Sequence, residues 1–507
     1  MTGATGEPRR MLDGWRPAAV AGVLAAVAVF IVWGSLSPVP VMHDEWAYWL
    51  QADQYAHLHW SVPSPPAPEF FEQLYVLVSP VFASKYPPGY AMMIAPGFAL
   101  GLPALVPLLV AGVTGALVFA LARRVAGNLA AALTWVLWVG TFGNLRFRAA
   151  YFSETTTSLC WLAAWWALLE WRETRRARWM VALALAISWG AITRPATMFV
   201  FAIPVGVVVV RDVIRTKGWR SLAIGLVTGF LVLGILPLWN AETTGSWKTT
   251  PLALYTAQYL PFDTPGYTVD SVPPQRALPP EMERVRAFLK DIKQTQVSAP
   301  VWVTALARGG LLFRDTFAGW RLPFTVAFLV GLGALGAPGW FALGSSALLI
   351  GAYLSQAHTP DWVVYYLETI PVLSFVAAVG TVRAVRALPA VATPRWAGAV
   401  VSAVFAVLLA TDVTAARDTL AKVSAESRVF RAAVDGLPKK PNIVFVRYAP
   451  ARNMHISLVD NRGMLPGAAS WIVHDRGPDD LRLLSAANGR TPYVFDEATG
   501  RFFEAKP

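Results

Sequence analysis

The chain has 507 residues, of which 55% are hydrophobic and only 15% charged, with a formal charge of +12. A soluble domain carries nearer a quarter charged residues, so the chain as a whole is a polytopic membrane protein and not an ordinary soluble one. Its Lys and Arg residues cluster in short loops between apolar runs, where they set topology and meet anionic lipid heads, and nucleic acid is not implied. The single Cys160 lies in an apolar run and excludes an intramolecular disulfide framework.

Arg9, Arg10 and Arg16 precede an apolar run from Pro17 to about Leu36. The run is longer than a signal-peptide core, so it is read as an uncleaved first span, and Arg9-Arg10 as its basic flank rather than an export signal. Further runs of about 17–22 residues match helices that cross a bilayer. From an inside N-terminus, spans are predicted near 17–37, 104–122, 128–145, 154–171, 179–193, 196–210, 221–239, 322–337, 340–355, 363–382 and 397–413, about eleven in all. This alternation puts the basic segments at Arg123-Arg124, Arg172 to Arg178, Arg211 to Arg220 and Arg383 to Arg386 in the cytoplasm. It leaves two long loops outside, 38–103 and 240–321. Residues 1–413 form the predicted membrane domain and 414–435 a linker helix.

Inside the first loop, Trp46, Trp49, Leu50, Asp53, His57 and Trp60 recur at helical spacing. The pattern predicts an amphipathic helix lying on the membrane, with Asp44, Tyr48, Gln51 and Tyr55 turned to a cavity. Residues 281–296 are also predicted helical. The tail, 436–507, changes character. Strands are predicted at 442–448, 492–496 and 501–504 and a helix at 478–486, with Asp479-Asp480 at its N-terminus. Together they predict a small external α/β domain.

Three features carry chemistry. Asp44 and Glu45 are adjacent carboxylates at the mouth of the first span. They are either a solvated loop start or a base that takes a proton from an acceptor hydroxyl, as single-displacement glycosyl transfer requires. The turn Lys85-Tyr86-Pro87-Pro88-Gly89 is rigid, but rigidity does not explain its lysine, which suits a phosphate. Arg146, Arg148 and Arg194 are predicted on the same side and are available to a leaving phosphate. Glu154 either caps the fourth span or supplies a third carboxylate to the acceptor or a metal. Tyr366 suits an interface belt, while Glu368 within a span calls for a partner, taken to be one of the external arginines. The glycines of Gly331-Leu-Gly333-Ala-Leu-Gly336 imitate a dinucleotide motif, but no strand precedes them. Gly225 and Gly229 read as helix packing, and His57 and His59 lack helical metal-ligand spacing. No phosphate-binding loop is present, and no cytoplasmic loop is long enough for a nucleotide-sugar fold. The cofactor is unknown, a divalent metal ion being the candidate.

These motifs together resemble the GT-C superfamily of membrane glycosyltransferases, in particular the branch of protein O-mannosyltransferases and lipid A aminoarabinose transferases. The resemblance rests on His43-Asp44-Glu45-x-x-Tyr48, Ser84-Lys85-Tyr86-Pro87-Pro88-Gly89, Ile192-Thr193-Arg194-Pro195, Trp239-Asn240-x4-Gly245 and Tyr366-x-Glu368-x-x-Pro371, within residues 17–382. It implies an all-α polytopic GT-C fold in the cytoplasmic membrane, a polyprenyl-phosphate sugar donor, an envelope acceptor and an external site that inverts the sugar carbon. It points to Asp44 as base with Glu45 beside it, Lys85 near the donor phosphate and Glu154 as the second acidic position. The tail is expected to shape acceptor choice, so that its deletion leaves donor binding intact. Two rival readings remain: a flippase of lipid-linked glycans, which predicts inverted repeats and midplane carboxylates, and a non-catalytic part of an envelope-polymer assembly.

Overall fold

The computed structural model describes residues 7–388, 396–450, 452–487 and 489–504. The side chains of residues 1–14, Arg9 and Arg10 among them, and residues 505–507 of the predicted tail lie outside the described residues. Twenty helices run α1 (Glu7–Trp33), α2 (His43–Ala56), α3 (Gly89–Ala99), α4 (Leu105–Ala126), α5 (Asn128–Val139), α6 (Phe142–Arg148), α7 (Glu154–Thr174), α8 (Ala177–Ala191), α9 (Pro195–Thr216) and α10 (Trp219–Leu233). They continue as α11 (Ile235–Thr244), α12 (Pro251–Tyr259), α13 (Pro280–Ser298), α14 (Val301–Thr316), α15 (Phe324–Leu332), α16 (Ala337–Tyr353), α17 (Ile370–Ala387), α18 (Ala397–Val423), α19 (Ala425–Asp435) and α20 (Asp480–Ala486).

Each of the eleven predicted spans falls on helix. By length and composition, however, six stretches among the described residues are fit to cross a membrane alone, and α15 with α16, bent by 114°, adds a seventh. The chain is therefore a multi-pass membrane protein. Helices α5 and α8 are apolar but short. Helix α7 opens on the polar run Glu154-Thr155-Thr156-Thr157-Ser158, yet it is buried in the middle of the bundle. Trp161 of α7 stacks on Phe201 of α9 at 4.1 Å, and both are fully buried. A helix buried all round needs no polar face, which accounts for the absence of a clear amphipathic stripe.

Gly331, part of the dinucleotide-like glycine run, marks where α15 crosses α17. A Cβ there would collide with the Val376 carbonyl, and one at Gly380 with that of Ala327. The run is helix packing, as its apolar setting predicts.

The two long loops and the tail form one soluble cap. A short three-stranded sheet, order β1 (Val62–Pro63), β3 (Val81–Ser84), β2 (Val76–Leu77), sits in the first loop. The tail holds a four-stranded sheet in the order β5 (Ser470–His474), β4 (Asn442–Arg447), β6 (Thr491–Asp496), β7 (Arg501–Glu504). Strand β4 pairs parallel to both β5 and β6. Strand β5 is not among the predicted strands. One sheet face covers Phe430 and Val434 of α19. The other joins Ile443, Phe445, Trp471 and Val473 to Leu50, Phe70, Phe71 and Phe82 of the first loop in a single core.

That shared core corrects the reading of α2. Its aromatic stripe does not lie on the membrane: Trp46 sits beneath the Arg431 guanidinium, 4.7 Å from the ring centroid, and Leu50 is fully buried under the tail. Deletion of 436–507 would bare this apolar surface, so the deleted chain is expected to lose the α2 loop's fold, seen as rapid proteolysis within 38–103. A deletion mutant with that loop intact would show that the loop folds without the tail.

Two histidines also tie the tail to the loops. His43 Nε2 meets the Met454 carbonyl at 2.9 Å and His474 Nε2 the Glu72 carbonyl at 2.8 Å. Burial pushes both down to about 4 from 6.5. Each contributes stability that is complete above 6.5 and is lost as pH falls toward 4. Glu45, pushed up to about 7 by burial, has the opposite sign: its contribution is lost as pH rises from 4.5 to about 7. Tail stability should therefore be compared with that of His474→Gln, which keeps an N–H for Glu72 without a titrating ring. Urea unfolding of the variant should show a weaker acid loss between pH 6.5 and 4, and an identical profile would assign that loss elsewhere.

Candidate active site

The first turn of α2 separates the two adjacent carboxylates. Successive helical residues point about 100° apart. Glu45 is buried, and both its oxygens are committed to backbone: Oε1 accepts from Val41 and Met42 at 3.3 and 3.2 Å, and Oε2 from Tyr151 at 3.1 Å. Glu45 thus clamps the helix start to the turn before α7. Asp44 is partly exposed; Oδ1 accepts from the Tyr86 hydroxyl, while Oδ2 has no partner among the described residues.

Two predicted motifs meet beside Asp44. Gly89 donates its N–H to the Ile192 carbonyl at 2.9 Å. A Cβ at Gly89 would collide with Thr193 and come within 2.9 Å of the Ile192 carbonyl carbon. Only glycine allows the Lys85–Gly89 turn to lie so close to the turn that carries Arg194. The predicted inner face of α2 holds that turn from the other side. Tyr48 stacks on Tyr86 at 4.4 Å, and Gln51 Nε2 donates to the Tyr86 carbonyl at 2.8 Å.

Lys85 is buried in a box of three tyrosine rings, with Nζ 3.9 Å from the centroid of Tyr75 and 5.1 Å from those of Tyr86 and Tyr255. No acceptor among the described residues takes a hydrogen bond from Nζ. Burial pushes the ammonium below its ordinary value, partly offset by the charges of Asp263 and Asp44. Aromatic faces attract a cation without using its N–H donors, so Lys85 remains able to bind an anion.

Glu154 and Arg194 form a buried ion pair. Arg194 also donates to Tyr353 Oη at 2.7 Å, and Ser153 joins Glu154 to Tyr48 through hydrogen bonds of 3.1 and 2.8 Å. A polar chain therefore runs from Arg194 through Glu154, Ser153 and Tyr48 to the Tyr86 ring that contacts Asp44.

The remaining predicted residues divide. Glu368 Oε1 accepts from Thr157 at 2.5 Å, while Oε2 is buried without a partner. Among the described residues it makes no ion pair, contrary to the expected arginine contact; Arg148 lies close enough to feel its charge but bonds Asn144 and Ser158 instead. Arg148 Nη1 is likewise buried and unpartnered. Arg146 is exposed beside Phe147, outside the cluster. Tyr366 faces away and bonds His358 at 3.0 Å; its neighbour Tyr365 lies under the Arg194 guanidinium, 5.3 Å from centroid to Cζ. Tyr75, Tyr255, Asp263, Tyr353 and Tyr365 are not among the predicted site residues. Asp263, in Pro-Phe-Asp-Thr-Pro-Gly, had only its place in the second long loop as a signal. Among the described residues no three His, Cys, Asp or Glu side chains gather as metal ligands.

No protein-family model and no curated protein matches the chain. Solved structures do. The crystal structure of ArnT from Cupriavidus metallidurans in the apo state is 15% identical, with a TM-score of 0.51 over 96% of this chain and 94% of that one. The chain has the ArnT fold. Of the expected architecture, the mostly helical multi-pass bundle is borne out. The crystal structure of ArnT from the same organism bound to undecaprenyl phosphate is 16% identical, with a TM-score of 0.49 over 96% of this chain and 90% of that one.

Proposed function

We propose that the chain transfers a sugar from a polyprenyl-phosphate donor to an envelope acceptor on the extracytoplasmic face of the cytoplasmic membrane. One observation carries this reading: of the four carboxylates expected at the site, Asp44 alone has an oxygen both unpartnered and accessible, and the unbonded ammonium of Lys85 lies near enough to feel its charge. The ArnT fold supports the reaction class. Asp44 Oδ2 takes the proton of the acceptor hydroxyl as that oxygen attacks the sugar carbon. The bond from that carbon to the phosphate oxygen breaks, the carbon inverts, and the polyprenyl phosphate leaves with the electron pair. Lys85 meets the negative charge as it grows on the phosphate. Tyr86 holds Asp44 in place, and the pair of Glu154 and Arg194 holds the Tyr48–Tyr86 stack.

The test is incubation of the purified protein with labelled polyprenyl-phosphate sugars and envelope fractions, reading transferred label by mass. Lys85→Ala should lower kcat/KM for the donor at least tenfold, since charge-assisted bonds contribute about 1.5–3 kcal/mol, with acceptor dependence little changed. Lys85→Arg should restore part of the loss, because charge is kept but the compact point geometry is not. A change confined to acceptor dependence would assign Lys85 to the other substrate.

A further inference from the structure

The basic end of the bundle carries a cavity of about 450 Å³ among α4, α5, α7, α9, α16 and α17. Its inner wall is buried and apolar, with Leu121, Leu162, Trp165, Leu168 and Val372. Its rim is exposed at Val125, Arg172, Arg211 and Pro338. At that rim three guanidinium groups share one buried carboxylate: Arg172, Arg175 and Arg211 lie 2.8, 3.5 and 3.1 Å from Asp212. Two positive charges are left over, on side chains 39 to 46% exposed. The volume lies within the range of ligand pockets, about 300–1,000 Å³. An apolar slot ending in excess positive charge matches a molecule with an apolar chain and an anionic head.

We propose that this cavity binds one acyl chain of an anionic glycerophospholipid, with the lipid phosphate at Arg172 and Arg211. The excess charge selects an anionic head over a zwitterionic one, and a phosphate accepts from guanidinium groups without displacing Asp212. The chain would lie between α7 and α17. Helix α7 carries Thr157, and α17 begins two residues after Glu368, so the lipid braces the two elements joined by the hydrogen bond between those residues.

The experiment uses the full chain, delipidated in neutral detergent, titrated with phosphatidylglycerol, phosphatidylcholine or inorganic phosphate and read by native mass spectrometry and thermal unfolding. Phosphatidylglycerol should be retained and raise the unfolding temperature, while phosphatidylcholine and phosphate should do neither. Arg211→Gln leaves Arg172 on Asp212 and should weaken retention roughly five-fold, the attraction of one cation. Val208→Trp fills the cavity and should abolish retention with the rim intact. Equal retention of the two lipids, or phosphatidylglycerol retention unchanged in Arg211→Gln, would overturn the proposal. Stabilisation by phosphate alone would overturn the chain's role.

Discussion

Asp44→Asn should lower transfer by about 10²–10⁴-fold, the usual contribution of a positioned base, with thermal stability close to the parent's. Asparagine has the shape of aspartate and an oxygen that still accepts from Tyr86. What it lacks is an atom able to take a proton where Oδ2 stands free. Glu45→Gln makes the contrast. The Glu45 oxygens accept from three backbone N–H groups, whereas glutamine offers one oxygen and turns an N–H₂ against the remaining donors. That variant should lose about 1–3 kcal/mol of stability, as buried donors go unsatisfied, and lose activity in step with folding. The two are told apart by measuring turnover and unfolding together. Near-normal turnover in Asp44→Asn would remove it from the mechanism. A stable but inactive Glu45→Gln would move the base one residue along.

The sequence makes the bundle legible because span length and loop charge are local signals, which is why each of the eleven predicted spans lies on helix. Length and composition alone qualify fewer stretches, since α5 and α8 are short and α15 meets α16 at a 114° bend. Motif reading also found the turn at Lys85 and the turn at Arg194, but their contact through Gly89 is long-range and has no local trace. The resemblance points to Asp44 as the base, but the physical difference between Asp44 and Glu45 has no local trace either. Which carboxylate meets three N–H groups depends on Tyr151, a residue brought close only by the fold. The aromatic stripe of α2 suggests a membrane face because spacing shows that a face is apolar and not what covers it. Here the cover is the tail, hundreds of residues away. Adjacent residues in a turn point apart, and only His358 and Arg194 in place decide that Tyr366 bonds the first and Tyr365 lies under the second.

Arg194→Met should be the most destabilising single change at the site. Glu154 would keep its burial and lose its cation, which costs about 3–5 kcal/mol for a broken buried pair. Tyr353 Oη would lose its guanidinium donor as well. Arg194→Lys should recover only part, because one ammonium on a flexible stem cannot reproduce the planar fork that reaches Glu154 and Tyr353 together. The decisive variant is the double change Glu154→Gln with Arg194→Met. Removing both charges leaves no unpaired buried ion, and such replacements are often neutral in stability. Glutamine at 154 still accepts from Ser153, so the Tyr48–Tyr86 stack and the Asp44 carboxylate should stay in position. The double variant should therefore unfold near the parent's temperature in the same detergent. Its transfer should also exceed that of Arg194→Met when both are assayed at equal folded protein. A double variant as unstable as the single would mean that Arg194 acts mainly through Tyr353 and the start of α9. A double variant that is stable yet silent would place the charges of the pair on a substrate.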